Sequence, residues 1–308
     1  MSRTALLIRT HYVDDRLRAF VDQVAADGPF DVHVVVDETN GTLDFGGAPK
    51  VSLTEQTVAE LGLYDRAPKT FWRCGDYALY AARQALPQYD AYWMIEPDVR
   101  LMAERPCDIL ARFPGPEHAD LLAGRLRLAE ADWDWGITLD PGAGPIWRCL
   151  FAVIRLSARA IDLLLEERRA LSAARIAMDA DPLTWPNDEA FVATTLARHG
   201  MAMHDLNAFG QVYDEIGLSY WFPVSERELQ ITGRDGWIYH PVLSGQAYFL
   251  KLCRLAVRHG ALDELERIVE RMIGLEWTAE EAKSHLRAID FLRVQWDIGQ
   301  ASPPLAAE

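Results

Sequence analysis

The chain lacks the features of disulfide-stabilised, zinc-binding and membrane-spanning proteins. Its 308 residues contain only four cysteines, which are widely spaced and form no C-x-x-C pair. This usage excludes a disulfide framework or a zinc ribbon and fits a reducing compartment. No apolar run approaches the ~18 residues of a membrane span, and residues 5–8 before Arg9 are too few for a signal-peptide core. We expect a cytoplasmic protein without a transmembrane segment, with a peripheral position at the membrane as the alternative.

Positive charge is also scarce. The chain has 31 Lys and Arg against 46 Asp and Glu, which gives a formal net charge of −15. This surplus disfavours binding to the phosphate backbone of nucleic acids and simple adsorption to anionic lipid. The apolar fraction of 50% and charged fraction of 25% exclude a disordered or fibrous protein. A phosphorylated small molecule would need a divalent cation to screen the repulsion.

The first half of the sequence alternates strand-like and helix-like segments. After Asp14 and Asp15, apolar residues recur at helical spacing, and this segment ends at Gly28. A second, short helix is predicted to begin at Ser52 and to end near Gly62. The segments with strand character are 5–8, 31–36, 91–95, 120–127 and 147–156. The later helical segments are 76–86, 157–169 and the one from Asn187 or Asp188 through Arg198. This order predicts an α/β fold with a mainly parallel sheet flanked by helices.

The character of the sequence changes after about residue 244. Apolar residues at helical spacing mark three helices, separated by Gly260 and Gly274. We therefore predict a first domain over residues 1–243 and a C-terminal helical extension over 244–308, whose last residues from 297 form a frayed tail. The helices offer a surface for a homo-oligomer.

The most informative motif follows the strand at residues 91–95. Glu96 and Asp98 flank Pro97 at the carboxyl edge of a parallel sheet, where open α/β sheets bind ligands. Hard carboxylate oxygens suit Mg²⁺ or Mn²⁺ bridging to a diphosphate. The alternative is a strand-end turn whose acids cap a helix.

The segment Tyr92–Arg100 resembles the D-x-D-type motif of GT-A glycosyltransferases, in the variant aromatic-aromatic-x-I/L-E-x-D-V. The resemblance covers roughly residues 4–242 in organisation, and only short motifs match in detail. It implies a GT-A fold, with a nucleotide-sugar half over about 1–100 and an acceptor half over about 101–243. It further implies a nucleotide-diphospho-sugar donor, Mn²⁺ or Mg²⁺ as cofactor, and a glycan or lipid-linked acceptor in cell-surface polysaccharide or glycan synthesis.

The same resemblance assigns the nucleotide-sugar pocket to polar residues after the first two strands. Arg9 and Thr10 follow the first strand, and Arg9 would approach the diphosphate. Asp37 or Glu38 would accept hydrogen bonds from the base or ribose. Solvated loop residues are the alternative reading of this pattern.

A third segment, residues 69–76, precedes the helix that leads to the acidic motif. Gly75 would permit a close backbone approach, Arg73 would contact phosphate, and Asp76 the base or sugar. The alternative for Asp76 is that it is the N-cap of its helix. Glu96 would contact the sugar or ribose, which leaves Asp98 as the acidic metal ligand.

The resemblance assigns the catalytic base to Asp188 or Glu189, because an acid pair opens a helix here after the acceptor-side strands. An inverting transfer, which we favour over a retaining one, needs a carboxylate that takes the acceptor proton. The alternative is that both acids only complement the helix N-terminus.

The segment His240-Pro241-Val242 resembles the one by which many GT-A enzymes add a histidine to the metal site. It implies that His240 and Asp98 are metal ligands, and the alternative is a structural histidine. The chain departs from the pattern because Leu243 stands where a phosphate-binding lysine is frequent. Binding of the metal or the diphosphate would then be weaker, or Arg73 or Lys251 would replace the lysine.

Two other functions remain open at this stage. A sugar nucleotidyltransferase would need a glycine-rich phosphate loop after the first strand, and the sequence after Arg9 has no such glycines. A non-catalytic binding or assembly protein on a decayed transferase fold would keep the helices as a docking surface.

Overall fold

A computed structural model of the chain describes residues 2–67 and 69–301. The chain divides into two compact units, the first ending at Val212 and the second beginning at Tyr213. The predicted boundary after residue 243 therefore falls inside the second unit. Residues just before position 243 belong to the second unit because they share a carboxylate with the later helices. Glu276 accepts hydrogen bonds from Ser225 Oγ and from the backbone N–H of Gly245. Residues before and after position 243 are thereby tied into one body.

The first unit alternates strands and helices. Its strands are β1 (Thr4–Thr10), β2 (Asp31–Asp37), β3 (Lys50–Leu53), β4 (Ala91–Ile95), β5 (Arg100–Met102), β6 (Leu121–Leu128), β7 (Trp147–Ser157) and β8 (Met203–Asp205). Its α-helices are α1 (Asp15–Asp27), α2 (Glu55–Glu60), α3 (Thr70–Arg73), α4 (Asp76–Ala85), α5 (Pro106–Ala111), α6 (Ala158–Ala177) and α7 (Asp188–Arg198).

Seven strands form one sheet in the order β3-β2-β1-β4-β7-β6-β8. The pairs β3/β2, β2/β1, β1/β4 and β6/β8 are parallel, whereas β7 runs antiparallel to both β4 and β6. This is an α/β unit with a mostly parallel sheet flanked by helices, so the predicted class is confirmed. The carboxyl ends of β1, β2 and β4 lie at one edge, and the beginning of the antiparallel strand β7 lies at the same edge.

Local capping explains where several helices begin. Asp14 Oδ1 accepts a hydrogen bond from the N–H of Leu17 at the start of α1, and Asn187 Oδ1 accepts one from Ala190 at the start of α7. Both predicted starts are confirmed. The predicted helix start at Ser52 is wrong, because Ser52 lies within β3 and the cap of α2 is Thr54. Helix α6 continues to Ala177, beyond the predicted end at residue 169.

The core of the first unit covers both faces of the central strands. All five residues of β4 are buried, as expected of a parallel strand between two helical layers. Leu7 and Met94 share one core cluster with Tyr77 of α4, Leu164 of α6 and Phe191 of α7. These three helices therefore cover one face of the sheet, and α4 and α7 begin near the carboxyl ends of β1 and β4.

The second unit is mainly helical. It contains β9 (Val224–Ser225), α8 (Glu226–Thr232), β10 (Trp237–Tyr239), β11 (Val242–Leu243), α9 (Gly245–His259), α10 (Leu262–Arg271) and α11 (Ala279–Ala301). The last three helices confirm the prediction from helical spacing, and Gly260 ends α9 in the left-handed region with φ of 65°. Their core includes Phe249, Leu265, Trp277 and Ile289. Of the predicted tail, residues 302–308 lie outside the described residues.

Two further expectations concern membranes and thiols. Among the described residues, none of the helices combines the length and apolar character needed to cross a bilayer. The four cysteines are free and buried. Their wide spacing in the sequence predicts that they form no disulfide framework.

Candidate functional site

The carboxyl edge of β1 and β4 brings Arg9 and Glu96 together. Arg9 is the penultimate residue of β1 and Glu96 directly follows β4, so the parallel register places them side by side. Arg9 Nη1 donates to Glu96 Oε1 at 2.9 Å, and Arg9 Nη2 donates to the Phe71 carbonyl at 2.6 Å. Thr10 is buried beside them and its Oγ1 donates to the Tyr12 carbonyl at 2.8 Å.

Asp188 enters this edge from the first turn of α7. Its Oδ2 accepts the backbone N–H of Gly75 at 2.8 Å and lies 4.0 Å from Arg9 Nη1. Its Oδ1 accepts the N–H of Glu189 at 2.8 Å. Four separate chain segments therefore converge on one guanidinium and two carboxylates.

Burial changes the protonation of the acid pair. Desolvation raises the pKa of Asp188 to about 7, with Arg9 and the Gly75 N–H favouring the ionised form and Asp76 favouring the neutral one. Desolvation, and then the charge of Asp188, raises the pKa of Glu189 well above its usual range. A carboxyl that titrates near neutral pH can accept or release a proton under working conditions, as general acid–base chemistry requires.

Gly75 lies in close contact with Arg9 and Asp188. A Cβ at this position would overlap Arg9 Nη1 and lie 2.6 Å from Asp188 Oδ2. Arg9 and Asp188 thus approach the backbone closely at Gly75, and a larger residue would require one of these side chains to move. The close approach of a ligand at Gly75 stays a prediction.

The predicted N-cap role of Asp76 is wrong. Gly75 occupies the cap position, and Asp76 is the first residue of α4 with a fully buried side chain. Arg168, also fully buried, binds both carboxylate oxygens of Asp76 at 2.7 and 3.2 Å and donates to the Pro186 carbonyl at 3.0 Å. The carboxylate is engaged by a buried cation instead of the helix N-terminus, and its predicted contact with base or sugar stays a prediction.

Arg73 is buried against the segment that precedes α7. Its Nη1 lies 3.2 Å from the carbonyl oxygens of Pro182 and Leu183 and 3.4 Å from that of Trp185. These bonds give Arg73 a structural function in fixing the approach to Asp188. Its predicted phosphate contact stays a prediction.

Asp37 and Glu38 organise the loop after β2. Asp37 Oδ1 accepts hydrogen bonds from the N–H and Oγ1 of Thr39 at 3.0 and 2.6 Å. Glu38 Oε1 accepts from Lys50 Nζ and the Leu43 N–H, both at 2.7 Å. Burial alone would raise the pKa of Glu38, but these donors hold it below its usual value. Both acids lie at the predicted strand edge, and their contacts to a nucleoside stay predictions.

Glu96 and Asp98 have spacing suited to a divalent cation. One carboxylate oxygen of Glu96 and one of Asp98 lie within 4.8 Å of each other. Hard divalent cations such as Mg²⁺ prefer carboxylate oxygens as ligands, so this pair is a candidate for binding a divalent cation. Glu96 lies close enough to Asp98 to be considered with it, whereas the sequence assigned Glu96 to the sugar or ribose. The roles of both acids stay predictions.

His240 belongs to the second unit, where it follows β10. Its Nδ1 lies 2.9 Å from the Ser219 carbonyl oxygen, which can only accept, so Nδ1 carries the proton. In the neutral ring, the lone pair is then on Nε2, the arrangement found in metal-binding histidines. Its role as a ligand stays a prediction of the sequence pattern.

Sequence reasoning missed Arg168 and Arg148. Arg168 follows Ile161 and Leu164 on the buried stripe of α6, and a cation on an apolar stripe is a detectable signal for a buried acid. Arg148 favours the ionised form of Glu189, and its Cζ lies 4.6 Å from the centre of the Trp133 ring. Nothing in its local pattern distinguishes it from other strand arginines.

Comparison with known proteins does not assign a family. No protein-family model matches the chain. No curated protein sequence gives a significant match either. The function is therefore inferred from the chemistry of the residues at the sheet edge.

Proposed function

We propose that the chain is a GT-A glycosyltransferase, which transfers a sugar from a nucleotide-diphospho-sugar to an acceptor hydroxyl with the help of Mn²⁺ or Mg²⁺. The observation that carries the proposal is the convergence of Arg9, Glu96 and Asp188 at the carboxyl edge of the sheet. A base with a pKa near neutrality, a cation and a second carboxylate are the groups that such a transfer needs.

Asp188 is the proposed base in an inverting reaction. The acceptor oxygen attacks the anomeric carbon and the bond from that carbon to the diphosphate oxygen breaks. The hydroxyl proton passes to Asp188, whose orientation is fixed by two backbone N–H groups. Glu189 is the alternative base; its Oε2 accepts a 3.4 Å hydrogen bond from Asn187 Nδ2.

Arg9 and the acidic motif are proposed to bind the donor. The guanidinium of Arg9 lies 4.0 Å from Asp188 and supplies positive charge at the site. The diphosphate would approach this guanidinium from its exposed side. Glu96 would orient the sugar or ribose. A divalent ion held by Asp98, with His240 as the second predicted ligand, would stabilise the negative charge of the leaving diphosphate.

The donor interaction is tested by thermal unfolding in the presence of nucleotide-diphospho-sugars of different bases. We expect stabilisation by at least one of them that requires Mn²⁺ or Mg²⁺ and is lost in Asp98→Ala. Asp22→Ala removes an exposed carboxylate on α1 and is the matched control. Absence of a shift with every nucleotide, with and without metal, would refute the proposal.

Catalysis is tested separately from binding. Slow hydrolysis of the donor, with release of nucleoside diphosphate, should be lost in Asp98→Ala while the circular dichroism spectrum is unchanged. Donor binding without any turnover would favour the non-catalytic assembly protein. Release of pyrophosphate from a nucleoside triphosphate and a sugar phosphate would favour the nucleotidyltransferase.

A further inference from the structure

Helix α9 carries a basic stripe on a chain with a net charge of −15. The helix contains Lys251, Arg254 and Arg258 and no acidic residue. Lys251, Arg254 and Arg258 are spaced by three and four positions, and Leu250 lies four positions before Arg254, so the four side chains lie on one side of the helix. The opposite face of α9 packs into the core of the second unit through Phe249, Leu252, Cys253 and Ala256. The stripe is therefore held on a rigid, anchored helix.

The turn at residues 221–222 lies along this stripe. Arg258 Cζ is 4.5 Å and Lys251 Nζ is 6.0 Å from the centre of the Trp221 ring. These cations are two helical turns apart, so the Trp221 ring is near both ends of the basic stripe. The backbone N–H groups of Trp221 and Phe222 both donate to Ser219 Oγ, at 3.1 and 3.0 Å. The turn is thus fixed against the stripe.

Three large apolar side chains remain exposed at this face. The exposed fractions are 51% for Trp221, 57% for Phe222 and 46% for Leu250. Exposed apolar groups beside lysine and arginine are the composition of membrane-interfacial surfaces. Aromatic rings lie at the level of the lipid headgroups there, while basic side chains reach the phosphates.

We propose that the stripe on α9 and the turn at 221–222 together bind the surface of an anionic lipid bilayer. The lipid phosphates would contact Arg254 and Arg258, and Phe222 and Leu250 would enter the headgroup region. The proposal goes beyond sugar transfer and does not depend on it. The net charge of −15 disfavours adsorption of the whole chain to anionic lipid. The local positive charge of α9 permits adsorption through this one face.

A lipid surface explains this face better than a soluble polyanion does. Nucleic acids and acidic glycans would satisfy the basic residues but would offer no apolar environment for Phe222 and Leu250. The excess negative charge elsewhere would restrict contact with an anionic bilayer to this face. The protein would therefore bind in one orientation.

The test is sedimentation of the full chain with vesicles of phosphatidylcholine alone or mixed with phosphatidylglycerol. We expect binding to the mixed vesicles and not to the neutral ones, with loss at high salt. Each basic residue near an anionic surface contributes about 1 kcal/mol, so Arg254→Glu with Arg258→Glu should weaken partitioning about 30-fold or more. Phe222→Ser should weaken it independently of salt.

The matched control is Lys283→Glu with Arg287→Glu. These exposed residues on α11 have the same spacing and give the same change in net charge. Equal loss of binding in both double variants would overturn the proposal, because the effect would then be one of net charge alone. No binding to anionic vesicles, or a concentration-dependent dimer that the α9 variant abolishes in light scattering, would also overturn it.

Discussion

Asp188 combines burial with contacts that keep its ionised form accessible. Burial opposes the negative charge, while the N–H groups of Gly75 and Glu189 and the nearby Arg9 favour it. The balance raises the pKa of this carboxyl to about 7. An ordinary surface aspartate would be ionised but too weak a base to assist transfer from an alcohol.

The first prediction is a rising limb in the pH dependence of kcat/KM. Since a base must be deprotonated, activity should increase as pH rises through about 7 and level off above it, following the pKa of Asp188 in the free enzyme. Initial rates of donor turnover from mildly acidic to mildly basic pH measure this limb. Asp188→Asn should lose both the activity and the limb. A limb unchanged in Asp188→Asn but absent from Glu189→Gln would transfer the role to Glu189.

The second prediction concerns Gly75→Ala. The added methyl group would overlap Arg9 and crowd Asp188, so their spacing must change while the core beneath is preserved. We expect kcat/KM to fall at least about 10-fold, consistent with the sensitivity of catalysis to displacements of about 1 Å. Steady-state kinetics and circular dichroism measure the two effects.

Gly47→Ala is the matched control for this change. No neighbouring atom lies within 4 Å of a Cβ at Gly47. Its activity and stability should stay close to those of the unsubstituted protein. If Gly75→Ala were equally active, the close approach would have no catalytic role.

At the scale of elements, two arginines fix the segment that leads into α7. Arg73, from α3, binds backbone carbonyls at residues 182–185, and Arg168, from α6, binds the Pro186 carbonyl. Arg168 also neutralises Asp76 at the start of α4, and the carboxylate holds the arginine pKa above its usual value despite burial. The positions of Gly75 and Asp188 therefore depend on one buried ion pair.

The third prediction is that Arg168→Met strongly destabilises the first unit. It leaves Asp76 as a buried carboxylate without its cation, which costs about 3–5 kcal/mol of unfolding free energy. Urea unfolding at neutral pH measures the loss. Asp76→Leu combined with Arg168→Met removes both charges and should recover much of the stability.

Arg175→Met is the control on the same helix. Arg175 bonds to Thr184 in an exposed setting, so its loss should cost less than about 1 kcal/mol. Similar losses for Arg168→Met and Arg175→Met would contradict the assignment of a buried, stability-determining ion pair.

Elements with a strong periodic signal were predictable from the sequence. The buried run at 91–95 is strand β4, and spacing from Leu262 to Met272 gives α10. The short strand β3 was not predictable, because the hydrogen bonds of Val51 and Ser52 come from β2 and not from local preference. The end of α6 was underestimated because the helix continues with partly exposed residues that lack an apolar stripe.

The site was predictable where residues lie at strand ends or, like Asp188, open a helix. Arg9 and Glu96 follow neighbouring parallel strands, so their proximity could be inferred from the α/β pattern alone. The pairing of Asp76 with Arg168 joins α4 and α6 over more than ninety positions and depends on packing that no local pattern specifies. A single sequence does not reveal which of several buried acids meets the buried cation.

At the scale of the whole molecule, charge is distributed unevenly. The net charge is −15, yet α9 is basic and the sheet edge pairs Arg9 with two carboxylates. Excess carboxylates elsewhere repel one another and oppose the compact state, while they keep the protein soluble. The negative surplus and the basic stripe therefore have separate physical consequences.

The last prediction is that monovalent salt stabilises the protein at neutral pH. Raising NaCl from about 10 mM to about 0.2 M shortens the Debye length from about 30 Å to below 10 Å and screens the repulsion among surplus carboxylates. A gain near 1 kcal/mol would raise the thermal midpoint of the first unit, which ends at Val212, by about 2–4 °C. Choline chloride should act equally, because screening needs no specific ion, whereas stabilisation by low Mn²⁺ should require Asp98. A midpoint that falls with salt would mean that attractive ion pairs outweigh the repulsion of the surplus charge.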